Sequence, residues 1–112
     1  MYLPKKQDCF LICYPGAFTV PTGEMHWELL NRSQALNNQL FVVSCSPARD
    51  KYADYVSYGH SIIVDPWGRV LHQMDEKEGF HVEQLNLQSM LNIRKFIPIL
   101  KNQKSELCLD NI

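Results

Sequence analysis

Residues 14–50, YPGAFTVPTGEMHWELLNRSQALNNQLFVVSCSPARD, decide the fold. The run leading into them, Phe10 to Tyr14, is continuously apolar and is closed by Pro15-Gly16. That pattern predicts a short strand covered on both faces, as in layered α/β proteins. Thr19 to Gly23 reads as a loop punctuated by Pro21 and Gly23, with Thr22 as helix cap. A helix is expected from about Glu24 to Asn38. Met25, Leu29 and Leu36 share one face at helical spacing, and Leu30 widens the stripe. Glu24 suits the positive end of the helix dipole, and Asn37-Asn38 make a stop. Leu40 to Cys45 (LFVVSC) is β-rich and apolar, a second buried strand. The unit is therefore strand–loop–helix–strand.

Downstream, Ser46 to Tyr58 is a polar loop bearing aromatic residues. A connection of that length without regular structure is uncommon in a small domain and often functional. His60 to Val64 and Arg69 to Gln73 flank Asp65-Pro66-Trp67-Gly68. Asp, Pro and Gly at the first, second and fourth turn positions favour a type I turn, so a hairpin is expected. Asp75 to Gly79 is a charged turn, and Phe80 and Val82 alternate with His81 and Glu83 as in a half-exposed strand. Asn86 is placed to cap a last helix carrying Leu87, Met90, Leu91, Arg94 and Ile97, which ends or kinks at Pro98. From Lys101 the chain is polar with Leu107 and Leu109 interspersed, a tail that packs on something else or frays.

The chain has 112 residues, enough for one domain with a real core and too few for two. Its apolar and charged fractions, 46% and 21%, are those of an ordinary globular protein. A net charge of −1 without long like-charge blocks gives nucleic acid or an anionic membrane nothing to grip, and Lys5-Lys6 reads as a solvated pair. No stretch approaches the roughly 18 apolar residues of a membrane span. The first ten residues lack the order of a secretory signal. Four cysteines without a CxxC, Cys9, Cys13, Cys45 and Cys108, read as reduced, mostly buried thiols of a cytoplasmic protein.

Candidate chemistry is sparse. Cys13 sits in an apolar strand before a tight turn, whereas a nucleophilic thiol needs a nearby base, cation or helix N-terminus. It reads as a core thiol. His26, beside Trp27 in the first helical turn, reads as a hydrogen-bonded packing residue. His60, after Gly59, reads as a residue that orients a loop. The four histidines show neither HxxxH nor HxH spacing, so no metal site is expected. Arg49-Asp50 ends the second strand, where ligands of α/β folds often bind. Arg49 there either grips a substrate carboxylate with its fork or forms an internal ion pair that holds the long loop.

Taken together, YPGAF, TGEMHWELLNRSQALNNQ, SPARD, GHSIIVDPWGRVL and IRKFIPILKNQ resemble the nitrilase superfamily of carbon–nitrogen hydrolases, and within it the omega-amidase branch. The likeness runs from about Cys9 onward with its segments in family order. Enzymes of that superfamily use a Glu–Lys–Cys triad on an α-β-β-α sandwich and usually dimerise. The glutamate is the general base, the cysteine forms the thioester, and the lysine helps stabilise the oxyanion. The resemblance implies that all three lie upstream of the YPGAF-type strand, the cysteine in a GxCYD-type elbow. Ile12 to Gly16 (ICYPG) mimics that elbow, but the Pro-Gly-Ala-Phe after the tyrosine assigns it to the next strand. No catalytic residue is therefore expected here.

What the resemblance carries over is a pocket wall. Tyr14, Pro15, Ala17 and Phe18 match the strand end beside the nucleophile. Thr22, Gly23 and Trp27 match the segment bordering the acyl site, and Ser46, Pro47, Ala48 and Arg49 match the second strand-end loop. The fold implied is the C-terminal half of a nitrilase-type sandwich, α/β in class, as one partial domain over residues 1–112. The family reaction is hydrolysis of the terminal amide of 2-oxoglutaramate or 2-oxosuccinamate, without a cofactor. The expected partners are the small amide substrate of an intact member, and a second copy or an intact relative. An intact form would be cytoplasmic or mitochondrial. Half a sandwich leaves open strand edges and an apolar sheet face, so marginal folding or self-association is expected.

Overall fold

The computed structural model describes residues 9–102. The Lys5-Lys6 pair, Cys108 and the behaviour of the tail beyond residue 102 lie outside them. Four strands form one sheet in the order β1-β2-β3-β4. They are β1 (Leu11–Pro15), β2 (Phe41–Cys45), β3 (Ile62–Val64) and β4 (Val70–Gln73). Helices α1 (Val20–Asn38), α2 (Leu87–Phe96) and the single turn α3 (Ile99–Asn102) complete the described chain. β1 and β2 are parallel, joined through α1, and β2, β3 and β4 are antiparallel.

α1 begins four residues earlier than its sequence pattern indicated. Thr19 is the N-cap and a proline occupies the first positions, where the missing N–H costs nothing. The Gly23 N–H already bonds the Thr19 carbonyl at 2.8 Å. Pro21 and Gly23 are thus first-turn residues, not loop punctuation. Thr22 is not the cap; its hydroxyl accepts from that of Thr19 at 3.0 Å. At the other end Gln39 takes the left-handed conformation and returns its N–H to the Ala35 carbonyl.

The buried face of α1 is a second departure. Gly23, Trp27, Asn31, Ala35 and Asn38 face inward, while Met25 and Leu29 are 70% and 65% exposed, with Leu30 and Leu36 also in solvent. The helix lies across β2 and β3. Its small and polar positions sit closest to the sheet because they can bond there. Ser44 of β2 donates to the Asn31 side-chain oxygen, and the Asn31 amide donates to the Trp27 carbonyl at 2.8 Å. The core of Trp27, Ala35, Leu40, Val42, Ile62 and Val64 fills the space between helix and sheet.

The opposite sheet face is covered in part: Phe41, which points to it, is 1% exposed. Side chains alternate along a strand, so the residues beside the core set point away from it. The paired positions Cys13, Val43, Ile63 and His72 form one row across that face. Cys13 and Cys45 are exposed there and Cys9 is half-buried. The expectation of buried thiols therefore fails for Cys13 and Cys45, and β1 is only half-buried, whereas β2 is the buried strand its sequence indicated, with Phe41, Val42 and Ser44 all buried.

The hairpin forms as its turn residues dictate. Asp65 Oδ1 accepts from the N–H groups of Trp67 and Arg69, each at 2.9 Å, and Oδ2 accepts from Arg69 Nε at 2.9 Å. Gly68 closes the turn at φ 81°, donating to the Asp65 carbonyl. His60 is not in β3; with Gly59 it has positive φ, kinking the chain before the strand. Residues 80–83 form no strand, and Phe80 and Val82 are 90% and 82% exposed. Alternation is present, but no neighbouring strand supplies a ladder. α2 follows its sequence signals. Asn86 accepts from the Ser89 N–H at 3.2 Å, and the helix stops before Pro98. Arg94 fixes it to the chain by donating to the carbonyls of Gln39 and Cys9, both at 2.9 Å.

Candidate functional site

Seven of the eleven wall residues expected from sequence are divided between two concavities. The first is a cleft of about 380 Å³ between the end of β1 and α1. Tyr14, Pro15, Phe18 and Trp27 line it, with Asn31 and Ser44 at its polar end. Phe18 meets Trp27 edge to face, centroids 5.1 Å apart. The walls are apolar with a few oriented amides and hydroxyls, a composition that holds a small ligand and limits water. The second is a cavity of about 350 Å³ on the open sheet face beyond the end of β2. Ser46, Pro47 and Ala48 line it together with Cys45, His72 and His81.

Ala17, Thr22, Gly23 and Arg49 belong to neither lining. Ala17 accepts the Tyr55 hydroxyl at 2.8 Å through its carbonyl, and Thr22 is exposed in the first turn of α1. Gly23 is buried against the ring of Tyr58, which a Cβ at that position would overlap. Arg49 donates to the carbonyls of Tyr58 at 2.9 Å and Ser57 at 3.3 Å, and its guanidinium lies 5.8 Å from the Tyr58 ring centre. It holds the long loop, though through carbonyl oxygens and not through Asp50, whose carboxylate accepts from the Tyr52 N–H.

These contacts converge on Tyr58. Its N–H bonds the Phe18 carbonyl at 2.8 Å, and its ring stacks on His60 at 4.0 Å. His60 Nδ1 lies 2.8 Å from the Tyr58 carbonyl, and the His60 carbonyl accepts Trp27 Nε1–H at 2.6 Å. The loop of residues 46–61 is thereby locked to the start of α1, and the lock sets the relation between the two concavities. Sequence reasoning missed Tyr58, Asn31 and Ser44. The signal available was the spacing of four among Gly23, Trp27, Asn31 and Ala35, a small-and-polar stripe masked by the apolar one beside it.

The chain belongs to the carbon–nitrogen hydrolase family, whose profile matches residues 2–95. Among individual relatives it is similar to the omega-amidase NIT2 of Mus musculus, with 46% identity over 102 residues. That match covers 91% of this chain and 37% of the mouse protein. The Homo sapiens omega-amidase NIT2 is 44% identical over the same coverage. Among solved structures, Saccharomyces cerevisiae Nit3, a member of branch 10 of the nitrilase superfamily, superposes with a TM-score of 0.81 at 38% identity. That superposition covers 86% of this chain and 35% of the yeast protein. The C. elegans NitFhit protein gives 0.84 at 35% identity, covering 92% of this chain and 25% of that one. The fold is a partial nitrilase-type sandwich. The chain spans about 37% of the length of the curated relatives it matches.

One group at the first cleft carries a displaced titration. Burial, and then the neighbouring Cys9, push the Tyr14 phenol above its ordinary 10.0. The folded chain therefore favours the neutral phenol. This contribution to stability is complete below about pH 10 and is lost as pH rises through the folded-state value. An absorbance titration of tyrosinate is expected to show a late-titrating phenol that is missing in Tyr14→Phe. A variant that lost only an ordinary tyrosine from the curve would contradict this.

Proposed function

We propose that these residues are a wall of an omega-amidase-like acyl site whose nucleophile, base and lysine are not among them. The observation that carries this reading is the apolar cleft at the end of β1, lined by Tyr14, Pro15, Phe18 and Trp27. Identity of 44–46% to omega-amidases over nine-tenths of the chain supports the same branch. In an intact enzyme such a wall excludes water from a thioester and orients a small substrate. The reaction proposed for the whole is hydrolysis of the terminal amide of a 2-oxo acid such as 2-oxoglutaramate, giving the dicarboxylate and ammonia, in a cytoplasmic setting.

On this reading the 112-residue chain does not turn over substrate alone. Cys13 is the thiol to exclude, because it stands exposed on the open sheet face and does not line the cleft. Incubated with 2-oxoglutaramate, the chain is expected to release no ammonia above the buffer rate, with Cys13→Ala indistinguishable. Turnover that disappears in Cys13→Ala would make this chain an enzyme in its own right.

A second reading, a non-catalytic partner of an intact relative, is favoured by the outward face of α1. Met25, Leu29, Arg32 and Leu36 follow one another at spacings of 4, 3 and 4, a seam suited to another helix. Glu28 and Arg32 pair across 3.7 Å beside it, both more than half exposed. Mixed with a full-length omega-amidase at micromolar concentration, the chain is expected to form a heterodimer that Leu29→Glu abolishes. Sedimentation showing two independent species would exclude it.

A further inference from the structure

We infer that the outer edge of β1 pairs antiparallel with β1 of a second copy of this chain, the two Cys13 residues lying opposite each other at the two-fold axis. β1 ends the sheet, and among the described residues no strand lies beyond it. Its backbone orientation follows from one bond at each end. The Phe41 N–H bonds the Phe10 carbonyl at 2.9 Å, and the Gly16 N–H bonds the Cys45 carbonyl at 3.0 Å. Successive residues of a strand turn their backbone groups to alternate sides. Phe10, Ile12, Tyr14 and Gly16 therefore face β2, while Leu11, Cys13 and Pro15 face outward. α1 packs on β2 and β3, away from this edge.

The two edges of the sheet are not alike. Edge strands are ordinarily protected by charges, bulges or proline. β4 meets β3 through a register shift at Ile63 and Val64, and Arg69 directly precedes it. β1 has no charged residue and ends in Pro15. The N–H that this proline lacks would lie on the outer side, so the β2 ladder loses nothing by it.

A second copy is the strand this edge fits. With a two-fold axis normal to the sheet at Cys13, all five residues of β1 pair with the same five of the partner. Each Cys13 N–H donates to the partner's Cys13 carbonyl, a mutual pair with Cα atoms about 5.5 Å apart. Each Leu11 N–H donates to the partner's Pro15 carbonyl. Only the Leu11 carbonyl faces a position without a donor, and it already accepts the Cys9 thiol at 3.3 Å. An axis at Pro15 would have no donors beside it. An axis at Ile12 would pair three strand residues in place of five and would need the Leu11 carbonyl. Two four-stranded sheets thus become one of eight strands, with the exposed Cys13 thiols side by side on one face. The pair is closed, whereas β1 on β4 would run on as a filament. It rests on the strand edge and not on the proposed reaction, and it leaves the outward face of α1 free.

Sedimentation of the full chain is expected to show monomer and dimer at micromolar concentration and nothing larger. The Cys13 amide is expected to exchange slowly in the dimer and to lose that protection on dilution. Cys13→Pro removes only an outward donor, so β2 and β3 amides are expected to stay protected while the dissociation constant rises at least about tenfold. Cys13→Lys keeps the backbone donor, sets like charges across the axis and is expected to weaken the dimer as well. Leu29→Glu is expected to leave it unchanged. A short bis-maleimide is expected to join Cys13 of one copy to Cys13 of the other. A monomer at every concentration, larger oligomers, or cross-links running through Cys45 instead would each overturn the pairing. So would an unweakened dimer in Cys13→Pro, or in Cys13→Lys should the proline variant lose its β2 and β3 protection.

Discussion

The ring of Tyr58 rests where the side chain of residue 23 would otherwise be, and the rest of the site depends on that close approach. Gly23 lies in the first turns of α1, so a loop more than thirty residues downstream can press directly on the helix backbone. From that seat Tyr58 takes a hydrogen bond from Arg49, gives one to Phe18 and stacks on His60. His60 in turn receives the Trp27 indole N–H. A single missing Cβ thus brings the β1 end, the helix start and the 46–61 loop into one rigid corner. Each further bond is of ordinary strength, about 1 kcal/mol net. Together they fix a connection that has no secondary structure of its own.

The molecule is one-sided in two respects. α1 turns its small and polar residues toward the sheet and leaves Met25 and Leu29 in water, and the sheet leaves Cys13 and Cys45 exposed on its other face. An apolar residue exposed alone needs no explanation, but Met25, Leu29, Leu30 and Leu36 stand exposed together on one helix. The chain corresponds to little more than a third of its relatives' length.

Much of the fold was legible because local chemistry determined it. Asp65-Pro66-Trp67-Gly68 could hardly be anything but a turn, and Asn86 and Pro98 bracket α2 as capping and proline sterics require. The readings that failed depended on what lies across space. Pro21 and Gly23 look like loop formers until one knows that a proline is tolerated at a helix start and that the glycine makes room for Tyr58. The Met25-Leu29-Leu36 stripe has helical period, yet period does not say which face meets the sheet. Asn31 won the inner position through its bonds to Ser44 and Trp27, which no one-dimensional pattern displays. Residues 80–83 alternate like a strand but lack a partner. The residues expected to form one wall fall in two concavities or in neither, because their placement depends on which strand face each one occupies.

Hydrogen exchange of wild type and Gly23→Ala tests most directly whether this corner organises the site. The added methyl must displace Tyr58, and overpacking of that kind costs about 1–3 kcal/mol. The account predicts that amides in residues 46–61 lose protection in the variant, together with the Trp27 indole N–H, while β2 and β3 retain most of theirs. Protection in residues 46–61 equal to wild type would contradict it, because the loop would then be held by something other than the seat of Tyr58 on Gly23.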